Sequence, residues 1–401
     1  MGVLRLRDFR LLLGAQAVSH LGDRVVPIAL AFAVLELDGS PSAVGLVLAC
    51  RMLPMVATLL IGGVVADRVS RRALMVAADL VRLVTQSLIA ALLIAGSAEI
   101  WMLAVLAGAT GAASGFSHPA ATGLLPAVVP LEELRAATGL RATALSAGEI
   151  AGPALAGVLI AVAGPGWALA VDAASYALSA VFLTLLRVPA RVPRAAASFL
   201  ADLREGWGVF RSLTWVWTFV LASTIGNMLW GAWSTLGPVV ADRSLGGAAV
   251  WGSVLAALGA GAVIGSLLVV RARPRRPLLQ AALTFGLFFP PLAALAAGAP
   301  VAVIAAAALL AGVAMTFGNA LWEATLIRHV PDESLSRVSA YDWFGSLAFQ
   351  PLGLAIWGPI SEVIGISPAL WLAAVLGLAT TAWLASTPAI RNMREPVPSG
   401  A

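Results

Sequence analysis

The feature that most constrains this chain is a succession of twelve long apolar runs, separated by short turns that hold most of its charge. The runs fall at 11–37, 42–66, 73–96, 100–125, 138–163, 166–187, 213–240, 249–270, 277–297, 300–327, 334–362 and 367–387. A helix that crosses the hydrocarbon of a bilayer needs about 20 apolar residues, so each run is long enough to span, several of them with tilt. Of the 401 residues, 60% are hydrophobic and 11% charged. A soluble domain carries about 25% charged residues, and so few charges could not cover a water-soluble protein of this length. Lipid is the solvent the composition demands, and the expected fold is an all-α membrane protein of twelve transmembrane helices.

Arginine placement sets the topology. All 25 basic residues are arginine. The lack of lysine excludes the P-loop route to ATP hydrolysis and Schiff-base chemistry. With the N-terminus in the cytoplasm, 20 of the 25 arginines fall on that side. Arg243 alone falls in an outer loop, and Arg24, Arg51, Arg82 and Arg141 lie within spans. This bias places both termini inside and requires an even number of spans. A net charge of +5 would suit nucleic acid, but arginines confined to turns between apolar runs are what membrane topology requires, and no nucleic-acid partner is expected. Cys50 is the single cysteine, which excludes an intrachain disulfide and a cysteine metal cluster. His118 and His329 lack other donors at ligand spacing and read as packing or interfacial residues, so neither a metal nor a cofactor is expected. Arg5, Arg7 and Arg10 precede a run too long for a signal-peptide core, so no cleavable signal is expected. Arginine-only, alanine-rich usage fits a high-GC bacterial genome, and hence the inner (cell) membrane as location.

The chain repeats itself. Residues 116–130 read FSHPAATGLLPAVVP and residues 317–331 read FGNALWEATLIRHVP, an offset of 201. Each is followed by an acidic turn, LEELR and DESLSR, and the pair Arg71–Arg72 is echoed by Arg275–Arg276. Matches in the same order argue for duplicated halves of parallel topology. The expected organisation is a six-helix bundle at 1–187, a cytoplasmic linker at 188–212, a second six-helix bundle at 213–390 and a cytoplasmic tail at 391–401. Within the linker, ADLREGWGVFR reads as an amphipathic helix on the membrane face.

Two motifs stand out. Gly63-x-x-x-Asp67-Arg68-x-x-Arg71-Arg72 closes one run and opens the next. Glycine permits close helix approach, and an aspartate among arginines at helix ends makes a charged latch that can hold one conformation and release in another. The alternative is an ordinary basic turn. On span five, Gly148, Gly152, Pro153 and Gly157 supply small-residue packing and a kink, features any packed membrane helix also collects. GGVVADRVSRR resembles the loop motif between helices two and three of the major facilitator superfamily, and the span-five run is similar to the glycine-proline motif of its antiporter branch. The likeness covers essentially the whole chain and extends to the drug-proton antiporters that include enterobactin-type exporters. Departures are Ser70, where the family carries glycine, and a second half that keeps only the arginines of the loop motif. The resemblance implies two pseudo-symmetric six-helix bundles and a secondary transporter working by alternating access, without enzymatic activity. It further implies a monomer that exports a lipophilic compound or siderophore in exchange for protons.

Charges inside spans cost about 2.5–3.5 kcal/mol each at a helix centre on insertion scales, so their positions are informative. His20, Asp23 and Arg24 lie at i, i+3 and i+4 on span one, with Arg51 at comparable depth on span two. Asp23 is expected to pair with Arg51 or Arg24, either as a proton site or as an ion pair tying helices together. Glu149 is the second proton-coupling candidate. Asp79 and Arg82 are expected to extend the latch, and Asp172 to make a packing hydrogen bond. In the second half, Asn319, Glu323, Asp342 and Gln350 read as gate residues, and Trp230, Trp233, Trp343, Phe344 and Phe349 as lining of an apolar cavity or as interfacial rings. The sequence leaves open an uptake symporter, or a sensor or assembly protein that transports nothing.

Overall fold

The structure is a computed structural model that describes residues 2–187, 207–272 and 274–393, and among these the chain is helical with no strand. Hydrocarbon offers no partner for backbone polar groups, and a helix satisfies them internally. In the first half the helices are α1 (Arg7–Leu37), α2 (Pro41–Arg68), α3 (Arg71–Ile94), α4 (Ile100–Val128), α5 (Leu134–Ala163) and α6 (Pro165–Thr184). The second half has α7 (Thr214–Val240), α8 (Ala248–Arg271), α9 (Pro277–Ala296), α10 (Val301–His329), α11 (Asp332–Leu347 and Gln350–Ile364) and α12 (Ile366–Ser386).

Eleven helices are long and apolar enough to cross a membrane by length and composition. The twelfth is α7, 27 residues without a charge. Its four tryptophans, Asn227 and several Ser and Thr residues dilute its apolarity. Two of the expected spans are broken. In α9 the last turn before Pro290 and Pro291 tightens to a 3-10 turn at Gly286–Phe288, and α11 is interrupted before Pro351. Proline has no N–H to give and crowds the carbonyl four residues back, so the regular ladder cannot continue through it.

The chain forms two compact units. One comprises Met1–Ala195 with Pro238–Ala256, the other Ala196–Gly237 with Ala257–Ala401. In the first, α2 packs on α4, α3 on α4 and α6, and α1 on α5 and α6. In the second, α9 packs on α10 and α12, while α8 meets α10 and α7 meets α11 through glycines. The pairing scheme of the first six helices thus recurs in the next six. The duplication is visible to the residue: α4 and α10 each have 29 residues and start at Ile100 and Val301, the same 201-residue offset seen in the sequence. Gly111 of α4 faces the backbone of Arg51 on α2, and Gly312 of α10 faces that of Leu258 on α8. At either site a Cβ would strike the facing carbonyl oxygen, so only glycine allows so close a crossing. Gly164 and Gly365, again 201 apart, end α5 and α11 at φ +87° and +93°, a conformation that disfavours any residue with a Cβ.

The second unit is built round aromatic rings. Trp322 stacks on Phe219 at 4.1 Å, and Trp215 meets Trp322 edge-on at 5.6 Å. Residues 207–212 of the expected linker are helical, with Phe210 buried and Trp207 stacked on it at 5.7 Å. Residues 188–206 and 394–401 lie outside the described residues.

Candidate functional site

The ionisable residues of the first unit assemble into two groups that share α1 as a wall. Along α1, His20 and Arg24 are one turn apart and point to α5, whereas Asp23 is rotated off that line and points to α2, α3 and α6. On the α5 side, Glu149 Oε1 lies 3.0 Å from His20 Nε2 and 2.8 Å from an Arg24 guanidinium nitrogen. The glycines of span five make this reach possible. Gly148 sits against the His20 ring, and Gly152 against the Arg24 side chain and the Leu21 carbonyl. Side chains at those two positions would push α1 and α5 apart. Gly157, one turn past Pro153, meets Ala248, Ala249 and Gly252 at the start of α8, in the same compact unit. The group is open: Arg24 and Glu149 retain 45% and 37% side-chain exposure.

The other group is enclosed. Asp23 receives a hydrogen bond from the Tyr176 hydroxyl at 2.8 Å and lies 3.6 Å from both Arg51 and Arg82. Arg82 is ion-paired to Asp79, reaches Ser117 at 3.2 Å and lies over the Tyr176 ring, 4.5 Å from its centroid. Ser179 donates to Asp79 at 2.6 Å. Asp172, fully buried, accepts from Gln86 at 2.7 Å, with Ser175 at 3.5 Å. Gly22 of α1 faces Asp172 and Ser175 with no room for a Cβ. Five helices therefore contribute: α1, α2, α3, α4 and α6. Such a network is favourable only when each charge finds a partner, because a buried unpaired charge costs several kcal/mol.

Compared with expectation, Asp23 does pair with Arg51, but Arg24 turns to Glu149 because its neighbours on α5 are glycines. Asp79 and Arg82 join Asp23 rather than the turn motif, since they are buried at the α4 and α6 interfaces. The side chains of Asp67 and Arg68 and the surroundings of Gly63 lie outside the described residues. Of the same motif, Arg71 donates to the Gly123 carbonyl at 2.6 Å, and Arg72 donates to those of Leu186 and Thr184 at 2.8 Å. The Thr184 and Leu186 carbonyls lie at and just past the C-terminal end of α6, where unpaired C=O groups and the helix dipole both favour a cation. Ser70, the departure from the family motif, caps the N-terminus of α3 by accepting from Ala73 N at 3.4 Å. Sequence reasoning does not single out Gln86, Tyr176, Ser179 or Ser117. Their only signal there is a polar residue in an apolar run.

In the second unit, Trp233 is buried and packs in parallel with Trp230 at 5.3 Å, so it is core and not lining. Asp342 accepts from the Trp322 indole at 2.9 Å. Asn319, Glu323 and Phe344 are exposed, and Gln350 opens the second piece of α11. His329 bonds the Thr325 carbonyl at 3.0 Å beside Trp215, and the His118 side chain lies outside the described residues. No group of His, Cys, Asp and Glu among the described residues is arranged to hold a metal.

Known proteins share this architecture. The chain is 25% identical over 411 aligned residues to the multidrug efflux pump Tap of Mycobacterium tuberculosis, covering 96% of this chain and 94% of Tap. It is 24% identical over 258 residues to macrolide efflux protein A of Streptococcus pyogenes, covering 63% of this chain and 64% of that protein's length. Among solved structures, the nucleoside transporter NupG superposes with a TM-score of 0.73 at 13% identity, over 93% of this chain and 98% of NupG. A bacterial homologue of the human lysosomal transporter Spinster gives 0.70 at 15%, over 98% and 99%. At such identities these two speak for the fold alone. The pattern that defines the Major Facilitator Superfamily matches residues 12–349, most of the chain, and the protein belongs to that family of multi-pass membrane transporters.

Proposed function

We propose that the protein exports a lipophilic, amphipathic compound in exchange for protons, by alternating access. The observation that carries this reading is the Glu149 group. A carboxylate inside a span, held by His20 and Arg24 yet keeping 37% of its side chain accessible, can gain and lose a proton without unfolding its surroundings. Protonating Glu149 releases His20 and Arg24 and loosens the α1–α5 contact that Gly148 and Gly152 create. Losing the proton restores it. That is the differential interaction a proton needs in order to bias two conformations. The turn arginines Arg71 and Arg72, with Asp67 and Arg68, would hold one of those conformations.

The substrate class follows from two supports. Relatives are named for macrolide and multidrug efflux, and α11 presents Trp343, Phe344 and Phe349 as exposed rings. The arginine bias of the turns argues for the inner (cell) membrane with both termini in the cytoplasm. A single chain, the substrate, protons and lipid are the components required, and a siderophore is the alternative substrate.

Everted membrane vesicles test the proposal. Tritiated erythromycin should accumulate in the lumen when respiration acidifies it and leave when nigericin collapses the pH gradient. Glu149→Gln should lower that accumulation by about tenfold, within the usual range of coupling between two bound ligands. Accumulation only in right-side-out vesicles would instead indicate uptake by symport, and an unaltered Glu149→Gln transporter would remove Glu149 from the mechanism.

A further inference from the structure

The enclosed cluster of the first unit has a charge count that its geometry does not balance. Among the described residues, three carboxyl groups, Asp23, Asp79 and Asp172, are gathered there with two guanidinium groups, Arg51 and Arg82. Asp23 lies 3.6 Å from each arginine, and Asp79 is paired with Arg82. Among the described residues no ion pair reaches Asp172. Its partners are neutral, the Gln86 amide at 2.7 Å and the Ser175 hydroxyl at 3.5 Å, and its own exposure is 0%. If all three carboxyls were ionised, the cluster would hold one negative charge too many in a low-dielectric interior, at the residue least able to bear it. One proton removes the imbalance, and Asp172 is where it belongs.

Gln86 supplies a second, independent observation. Its side chain is fully buried, its Nε2 donates to Asp172, and its Oε1 has no hydrogen-bond partner. A protonated Asp172 needs an acceptor. The Gln86 amide, turned over about its last torsion, places that oxygen where the nitrogen now is. One side chain can thus serve both states, donating to the carboxylate and accepting from the acid.

We propose that Asp172 holds the proton of this cluster and is the group whose deprotonation the transport cycle uses. This rests on the proton-exchange reading above and names a second site for it, behind Asp23. The groups that face Asp172 are Asp23 on α1, Arg51 on α2, Arg82 and Gln86 on α3, and Ser175 and Tyr176 on α6. Of the charged residues of α5, Glu149 is engaged with His20 and Arg24, Arg141 with Gln16, and Arg135 is exposed in the first turn of the helix. Asp23, with 23% side-chain exposure, is the opening of the cluster, and the Tyr176 hydroxyl bonded to it lies on the same helix as Asp172. Loss of the proton leaves three carboxylates around two arginines, and the repulsion falls on the α1–α6 and α3–α6 contacts.

The full-length protein in proteoliposomes decides the matter in two measurements. The infrared spectrum should show a protonated-carboxyl stretch that Asp172→Asn abolishes and Glu149→Gln leaves. With tritiated erythromycin as probe, Asp172→Asn should cut accumulation driven by a pH gradient about tenfold or more, while exchange at equal pH persists. A protonated-carboxyl stretch undiminished in Asp172→Asn, or full gradient-driven accumulation by that variant, overturns the inference and leaves proton-coupled export standing. Wild-type accumulation indifferent to the gradient overturns the export reading, and this inference with it. Should Asp172→Asn fail to give monodisperse protein, Asp172→Glu carries the test. It retains a titratable group, so accumulation should persist with a displaced pH profile, and an unmoved profile overturns the inference.

Discussion

The two halves of this protein share a backbone plan and differ in what they enclose. In both, small residues let one helix pass against the backbone of another at equivalent positions, Gly111 against α2 and Gly312 against α8. The first unit fills its interior with ion pairs and hydrogen bonds among Asp23, Arg51, Asp79, Arg82, Asp172 and Tyr176. The second fills it with rings, Trp215, Phe219 and Trp322, and secures α7 to α11 by bonds to backbone carbonyls. Thr224 donates to Gly345 at 2.8 Å, Asn227 to Ser346 at 2.9 Å, and the Trp357 indole to Met228 at 2.9 Å. The lesson is that helix pairing in lipid is set by shape, because apolar side chains gain little from leaving a solvent as apolar as themselves. Interior chemistry is then free to diverge between duplicated halves, and here, among the described residues, the ion pairs lie in one half.

That contrast can be broken or sharpened by substitution. The largest effect is expected from Arg82→Met, which leaves Asp79 and Asp23 short of a buried partner. It should cost about 3–5 kcal/mol, seen as a steep fall in the melting temperature of detergent-solubilised protein, with gradient-driven transport lost. Trp322→Ala in the second unit should cost about 3 kcal/mol through the cavity it opens, yet leave the dependence of transport on the pH gradient intact. If it abolished that dependence, the ionic half would not be the only coupling half. Gly111→Ala and Gly312→Ala should each cost about 1–3 kcal/mol and by nearly equal amounts. Unequal melting shifts would show that the two crossings are not equivalent. The smallest effect is expected at Ser70→Ala, about 1 kcal/mol from the lost N-cap of α3, measured as a modest melting shift with transport unaltered.

Much of the fold is legible in the sequence. The twelve runs and the 201-residue repeat need only composition and spacing, and the helices at Ile100–Val128 and Val301–His329 preserve that offset at both ends. The breaks in α9 and α11 are signalled by Pro290, Pro291 and Pro351 but are outweighed by continuous hydrophobicity. The site is legible less completely. Asp23, Arg51, Glu149 and His20 stand out because charge inside an apolar run is costly. Gln86, Tyr176, Ser179 and Ser117 do not, because a neutral polar side chain in a span costs little and so leaves little trace.

The sequence by itself determined that the chain folds into a succession of helices long and apolar enough to cross a membrane, and that one half echoes the other. These depend on run length and repetition, which are local or periodic properties. Only the tertiary structure decided which charges meet. His20, Asp23 and Arg24 occupy nearly the same stretch of one helix, yet α5 takes two of them and α2, α3 and α6 take the third. A buried charge is tolerated only where a partner from another helix reaches it, and which helix stands opposite is fixed by packing across the whole bundle.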